Sequence, residues 1–287
     1  MLSPELIKKI RKIHIKCGRL VNSVMAGQYK SIFRGSGIEF EEVREYIPGD
    51  EVKSIDWKVS ARMGRPYVKL YREERELIVM LLLDMSASTQ FGTCDSIKKE
   101  TAAETAAIIA FNAIRNNDKV GAILFTDRVE KYIPPKKGSS HVWRVIKEIF
   151  EFKPEHKKTN VQNALFYLSK VARKKTVSFI ISDFITNENY EKELKITSKK
   201  HKLFAVILSD PKEFALPKSG IILIEDLETG ELLELYRDNE EYNQLSFHEN
   251  TIKTLKKASV ESKKISTSDS VANELTKYFR YLEKRKR

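Results

Sequence analysis

The run Leu77-Ile78-Val79-Met80-Leu81-Leu82-Leu83 is uninterrupted by polar residues and stops at a carboxylate, Asp84. A short apolar run without alternation reads as a strand buried on both faces, as in the middle of a parallel sheet. The loop after such a strand lies at the rim of the sheet, where open α/β folds bind their ligands. Asp84-Met85-Ser86-Ala87-Ser88 brings a carboxylate and a pair of hydroxyls to that rim. These hard oxygen donors suit Mg²⁺, Mn²⁺ or Ca²⁺ and suit zinc poorly.

Segments of the same kind recur downstream. Val120 to Phe125, Val177 to Ile181 and Leu203 to Leu208 read as further buried strands. Helical patterns separate them: Ala102, Ala106, Ile109 and Ala113 in one; Val142, Val145, Ile146 and Ile149 in the next; Val161, Leu165 and Leu168 after Thr159-Asn160; and a helix near 189–199. Val129 to Ile133 is expected as an edge strand stopped by Pro134-Pro135. Strands alternating with helices predict a doubly wound, mainly parallel α/β sheet. Ile221 to Ile224 and Leu232 to Leu235 flank Glu228-Thr229-Gly230-Glu231 as a hairpin or edge pair, and helices near 245–258 and 269–283 close the chain.

Upstream, residues 3–25 predict one helix, capped by Ser3, with Leu6, Ile10, Ile13 and Cys17 on an apolar stripe and cations on the other face. Residues 27–75 are punctuated by Gly27, Gly35, Gly37, Pro48, Gly49, Gly64 and Pro66, which predicts turns and short antiparallel strands with Trp57 as a core anchor. The expected organisation is an N-terminal helix and small β-rich extension over 1–75, then an α/β domain over 76–287. Arg44, Asp50, Asp56, Arg62 and Arg65 in the extension read either as a buried ion-pair network or as a docking face.

Composition narrows the function classes. No apolar stretch reaches the ~18 residues of a membrane span. Lys8, Lys9, Arg11 and Lys12 break the first apolar positions, unlike a secretory signal. Cys17 and Cys94 show no pairing pattern, so a cytoplasmic location is expected, with membrane contact at most peripheral. The formal net charge of +12 leaves acidic partners of several kinds open.

Two further loops bear on the Asp84 rim. The Thr159 hydroxyl can cap its helix or face the rim, and Asp183 follows the strand ending at Ile181. If that strand neighbours the first, Asp84 and Asp183 meet, and paired carboxylates repel unless a cation separates them. The bland alternative is that Ser86 and Ser88 cap a helix and Asp183 pairs with a lysine.

The set Asp84-x-Ser86-x-Ser88, Thr159 and Asp183 resembles the metal-ion-dependent adhesion site of von Willebrand factor type A domains. Gly37 to Asp50, Ile55-Asp56-Trp57-Lys58, Ser60-Ala61-Arg62, Asp118-Lys119-Val120-Gly121, Tyr132 to Gly138 and Asp226 to Glu231 are similar to the bacterial "domain of unknown function fifty-eight" family. The resemblance implies a von Willebrand factor A-like, Rossmann-like domain. Ser86, Ser88 and Thr159 would then meet the metal directly or nearly so, and Asp84 and Asp183 largely through water. A partner's Asp or Glu would fill the last coordination position. The expected ion is Mg²⁺, or Mn²⁺ or Ca²⁺, bound weakly until the partner arrives. The resemblance further implies a non-enzymatic adaptor or co-chaperone working with a MoxR-type AAA+ ATPase.

Other chemistries fit less well. A phosphohydrolase with a strand-end Asp nucleophile needs an acid two residues on, where Ser86 stands, and a hydroxyl is a poor proton donor near neutrality. The sequence has no Walker loop and no Gly-x-Ser-x-Gly elbow, and its five histidines show no ligand spacing. A basic nucleic-acid-binding protein would use the tail Lys284 to Arg287 and the first helix, but the aromatics form no stacking ladder.

Overall fold

The computed structural model describes residues 37–74, 77–94, 96–186, 188–213, 219–225, 227–228, 230–238 and 244–286. They belong to a small unit ending at Glu76 and a larger one that takes up the chain from Leu77. The helix expected over residues 3–25 lies outside the described residues.

In the small unit, β1 (Gly37–Glu45) is followed by α1 (Trp57–Met63) and by β2 (Tyr67–Glu74), which pairs antiparallel with β1. Asp56 caps α1, accepting from the Lys58 and Val59 amides at 3.0 and 3.2 Å. The helix ends on Gly64, whose φ of 71° is a left-handed conformation that glycine adopts at little cost. Arg44 grips Asp50 with both guanidinium nitrogens at 2.8 and 2.7 Å, and Lys69 reaches Asp56 at 3.3 Å. The Arg44 hydrogen bonds hold the Asp50 carboxyl below its ordinary value. These pairs are partly exposed, Arg65–Glu45 more so, and Arg62 lies in solvent, so the buried network expected here is a set of surface and half-buried pairs. Trp57 also departs from expectation. It opens α1 and is 68% exposed, so it anchors no core.

The larger unit is built on a six-stranded sheet. In chain order its elements begin with β3 (Ile78–Asp84), α2 (Lys98–Arg115), β4 (Lys119–Phe125), β5 (Val129–Lys136), α3 (Ser139–Glu151) and α4 (Val161–Val171). They continue with β6 (Val177–Ser182), α5 (Glu191–Lys200), β7 (Lys202–Ser209), β8 (Ser219–Glu225), β9 (Leu232–Asp238), α6 (Gln244–Lys257), β10 (Glu261–Ser266) and α7 (Val271–Lys286). The strand order is β10-β7-β6-β3-β4-β5, all parallel except β5, which runs antiparallel beside β4. This is the expected doubly wound, mainly parallel α/β fold.

Helices cover both faces, which is why β3 is apolar up to its last residue, Asp84, and buried from Val79 onward. On one face Met80, Leu82, Ile123 and Ile180 pack with Val161, Leu165 and Leu168 of α4, Leu194 of α5 and Leu255 of α6. On the other, α2 lies against α3 and α7, with Phe111 and Trp143 edge to face at 5.3 Å and Phe179 meeting Phe279 at 6.5 Å. The alanines of α2 are buried and let the helix lie close to its neighbours.

β5 does not stop at its prolines. It runs through Pro134-Pro135 to Lys136, with the register against β4 shifting between Val120 and Ala122. Proline is tolerated there because the strand is an edge strand and the register is irregular. The same close approach requires Gly121: a Cβ at that position would lie 2.8 Å from the Ile133 carbonyl and 2.9 Å from the Met80 sulfur. β10 is a strand the sequence reading missed, and β8 and β9 form a sheet of their own rather than extending the large one. Among the described residues, no helix is long and apolar enough to cross a membrane.

β3 is flanked by β4 on one side and β6 on the other, and the chain visits the β4 side first. The topology therefore switches direction at β3. The crevice outside the carboxyl end of that strand is where folds of this kind bind ligands.

Candidate functional site

Asp84 is the last residue of β3 and is fully buried. One carboxylate oxygen accepts from the Ser86 amide at 2.9 Å, and the other accepts from the Ser182 hydroxyl at 2.5 Å. Ser182 ends β6, the parallel neighbour of β3, and Asp183 follows it. The Ser86 and Ser88 hydroxyls lie 3.1 Å apart at the start of a short 3-10 turn, Ala87–Gln90. The Ala87 amide donates to the Lys157 carbonyl at 2.8 Å, which ties the Asp84 loop to the loop before α4.

That second loop carries Thr159. Asn160, not Thr159, caps α4 by accepting from the Asn163 amide at 2.9 Å. The Thr159 hydroxyl instead donates to a Glu228 carboxylate oxygen at 2.9 Å, and its carbonyl accepts from the Thr186 hydroxyl at 3.0 Å. Glu228 sits in the turn between β8 and β9.

Asp183 is fully buried and accepts from the Lys98 ammonium at 2.8 Å and from the Ile185 amide at 3.1 Å. Lys98 also donates to Glu213 at 2.5 Å. The pairing of Asp183 with a lysine, the bland alternative, is thus present alongside the gathering of the strand-end residues. Burial works against the Lys98 charge, but Asp183 and Glu213 outweigh it and its pKa is raised. Phe184, next in sequence, has φ of 59°, a left-handed conformation that costs a non-glycine residue roughly 1–3 kcal/mol. Its buried ring and the hydrogen bond its amide donates to the Ser182 hydroxyl hold it there.

The electrostatics suit a cation. Burial, and after it the neighbouring Asp183 charge, push the Asp84 carboxyl up to about 7, and the Ser182 and Ser86 hydrogen bonds pull it back only in part. Asp84 and Asp183 act on each other, the Lys98 ammonium bridges Asp183 and Glu213, and Glu228 stands on the Thr159 hydroxyl. His248 lies near Asp183 and Lys98. Burial and the nearby Lys264 hold its pKa down at about 4, so it is neutral at pH 7. Among the described residues no group of three or more His, Cys, Asp or Glu gathers as a metal site. A cation held at Asp84 would therefore depend on hydroxyls as well as carboxylates, and the hard donor set of Asp84, Ser86, Ser88, Thr159 and Asp183 fits Mg²⁺ chemistry.

Sequence reasoning did not single out Lys98, Ser182, Glu213 or Glu228 as members of this rim. A signal existed for Lys98. It falls on the buried face of an alanine-rich helix and in its first turn, where the helix dipole disfavours a cation. Glu213 gave no such signal.

The family model described as "Protein of unknown function DUF58" matches residues 42–255. The uncharacterized protein Rv1480 of Mycobacterium tuberculosis (strain ATCC 25618 / H37Rv) is 29% identical over 237 residues, 82% of this chain and 75% of that protein. Among solved structures, the conserved hypothetical protein BatB from Bacteroides thetaiotaomicron is similar with a TM-score of 0.49 and 13% identity, over 72% of this chain and 99% of that one. The SpRpn10 VWA domain is similar with a TM-score of 0.44 and 14% identity, over 71% and 95%.

Proposed function

The chain belongs to the DUF58 family of proteins of unknown function, and from that premise we propose that it is a metal-ion-dependent protein-binding module. In this reading Asp84, Ser86, Ser88, Thr159 and Asp183 hold Mg²⁺, or Mn²⁺ or Ca²⁺, at the rim. The observation that carries it is a pair of buried carboxylates at the ends of adjacent parallel strands, with the Ser86 and Ser88 hydroxyls beside them.

A bound divalent cation would supply the positive charge that lets Asp84 ionise beside Asp183, and a coordination position for an outside carboxylate. The chain's own residues do the positioning. The Ser86 amide and Ser182 hydroxyl fix the Asp84 carboxylate, and Lys98 and the Ile185 amide fix Asp183. Asn160 takes over the helix cap and so frees the Thr159 hydroxyl for the rim. Neutral hydroxyls leave a divalent ion under-neutralised, which favours an acidic side chain from a partner.

The reading is non-enzymatic. Asp84 is buried and both its oxygens accept hydrogen bonds, which suits a held ligand better than an in-line nucleophile. Nucleic acid is also a poorer fit in the tail, where Arg285 pairs with Glu261. The resemblance further supports a cytoplasmic adaptor role beside a MoxR-type AAA+ ATPase, with an exposed Asp or Glu of that partner as the ligand.

Calorimetric titration with MgCl₂ and MnCl₂ tests the metal. Pull-down with Mg²⁺ or with chelator tests recognition. Asp84→Ala is expected to lose both the binding heat and the chelator-sensitive partners. Equal recovery of partners by Asp84→Ala and the parent protein would remove the recognition role.

A further inference from the structure

The segment Asp226 to Glu231 stands out in the sequence as a family-like stretch, yet the reading above gives it nothing to do. The structure places its Glu228 on the Thr159 hydroxyl, at 2.9 Å. Glu228 is separated from Thr159 by 69 residues in sequence, so this contact is made by the fold.

We propose that Glu228 is the chain's own occupant of the rim: an in-chain carboxylate that takes the coordination position an outside acidic ligand would otherwise fill. The proposal rests on the metal-dependent reading above and deepens it.

The chemistry is that of the expected ligand. A partner is required to supply one carboxylate at the open side of the site, and Glu228 is a carboxylate already hydrogen-bonded to one of the residues expected to hold the ion. Its carrier is suited to the task. Among the described residues, β8 and β9 pair only with each other, from Ser219↔Asp238 to Glu225↔Leu232, and form a sheet separate from the large one. Ile221, Leu223 and Leu232, on one face of that hairpin, are 66%, 60% and 63% exposed. Moving the hairpin off the rim therefore sacrifices no burial on that face. The Thr159–Glu228 hydrogen bond at the hairpin tip is one that a competing carboxylate can displace. Competition at one coordination position makes the in-chain and outside ligands mutually exclusive, and the coupling is reciprocal.

The experiment uses the full chain, Mn²⁺ alone, and Mn²⁺ with sodium acetate as a minimal outside carboxylate, read by calorimetry. Glu228→Gln keeps the shape and the hydrogen-bond acceptor but removes the charge. It is expected to weaken Mn²⁺ binding by at least about tenfold, the lower end of what losing an outer-shell partner costs. Acetate is expected to restore affinity to Glu228→Gln and to have little effect on the parent protein. In the unmodified protein, amides of 219–238 are expected to exchange more slowly with Mn²⁺ than with chelator. Unchanged affinity and acetate response in Glu228→Gln, or exchange in the hairpin indifferent to Mn²⁺, overturns the proposal. Asp84→Asn separates the readings. If it abolishes Mn²⁺ binding while Glu228→Gln does not weaken it, only the hairpin inference fails. If the parent protein shows no Mn²⁺ binding, both fail.

Discussion

Asp84 and Asp210 stand at the carboxyl ends of strands β3 and β7, on either side of β6, and both are fully buried. Their electrical conditions are opposite. Asp210 accepts from the Thr93 amide at 2.9 Å, the Thr93 hydroxyl at 2.6 Å, the Thr267 hydroxyl at 2.6 Å and the Lys212 amide at 2.9 Å. Burial raises its pKa, but these donors outweigh burial and hold it below the ordinary value. Asp84 faces Asp183 with fewer donors and is pushed up to about 7. Low surface exposure alone therefore does not decide the charge of a strand-end carboxylate. Depth below the surface, the neighbouring Asp183 charge and the number of donors together set Asp84 apart from Asp210. Asp210 is a satisfied anion that ties loops together, whereas Asp84 is a carboxyl whose ionisation burial and Asp183 disfavour.

Lys98 joins the two conditions. It bridges Asp183 and Glu213, and the other Glu213 oxygen accepts from the Asp210 amide at 2.8 Å. Lys98→Met keeps the buried stem and removes the ammonium, leaving Asp183 and Glu213 without it. Breaking a buried pair in this way costs about 3–5 kcal/mol. Urea unfolding is expected to show a loss of that order, the largest among these variants. A loss below about 1 kcal/mol would mean that the rim does not depend on its internal ammonium.

The next effect belongs to Asp210. Asp210→Asn cannot accept all four hydrogen bonds and loses their charge assistance, worth about 1.5–3 kcal/mol for a single bond to a charged group. A loss of about 2–3 kcal/mol is expected, independent of divalent cation. The pH dependence has a definite sign. A carboxyl whose folded pKa lies below its unfolded value, near 4, contributes stability that is present above that value and lost as pH falls through the folded one. The parent protein should therefore lose stability on acidification below about pH 4 more steeply than Asp210→Asn. Parallel acid limbs for the two proteins would break the contrast between the carboxylates.

How much of this was legible follows from what each residue packs against. β3, β4, β6 and β7 are covered on both faces, so their sequences are largely apolar, with Ser178 the interruption inside β6, and could be read directly. β10 is an edge strand whose Ile265 is the buried exception in a lysine-bearing sequence, and it carries no such run. Pro134-Pro135 misled because the usual rule that proline stops a strand gives way at an edge with a shifted register. Trp57 misled because a large aromatic was taken as core, while its position at the start of α1 turns it to solvent. Asp84, Ser86 and Ser88 were legible because their spacing is local. Lys98 and Glu228 were not, because each reaches the rim from far along the chain, Lys98 to Asp183 over 85 residues and Glu228 to Thr159 over 69.

The smallest effect sharpens the contrast most. With chelator present, Asp84→Asn removes a charge that burial and Asp183 already disfavour. The Asn carbonyl oxygen can still accept one of the existing hydrogen bonds, from the Ser86 amide or the Ser182 hydroxyl. If the carbonyl takes the Ser86 amide, the Ser182 hydroxyl can rotate to accept from the new amide group. Relief of charge and loss of one good acceptor act in opposite directions, so the net change is expected within about 0.5 kcal/mol, the range of a substitution that disturbs little. Divalent cation then separates the proteins. Saturating the parent site at about 100 times its Kd adds roughly 2.7 kcal/mol, and Asp84→Asn is expected to gain almost none of it. Thermal melts in chelator and in MgCl₂ read both quantities. A large loss for Asp84→Asn in chelator would mean that Asp84, like Asp210, is already satisfied by the protein, and a metal would have no charge left to balance there.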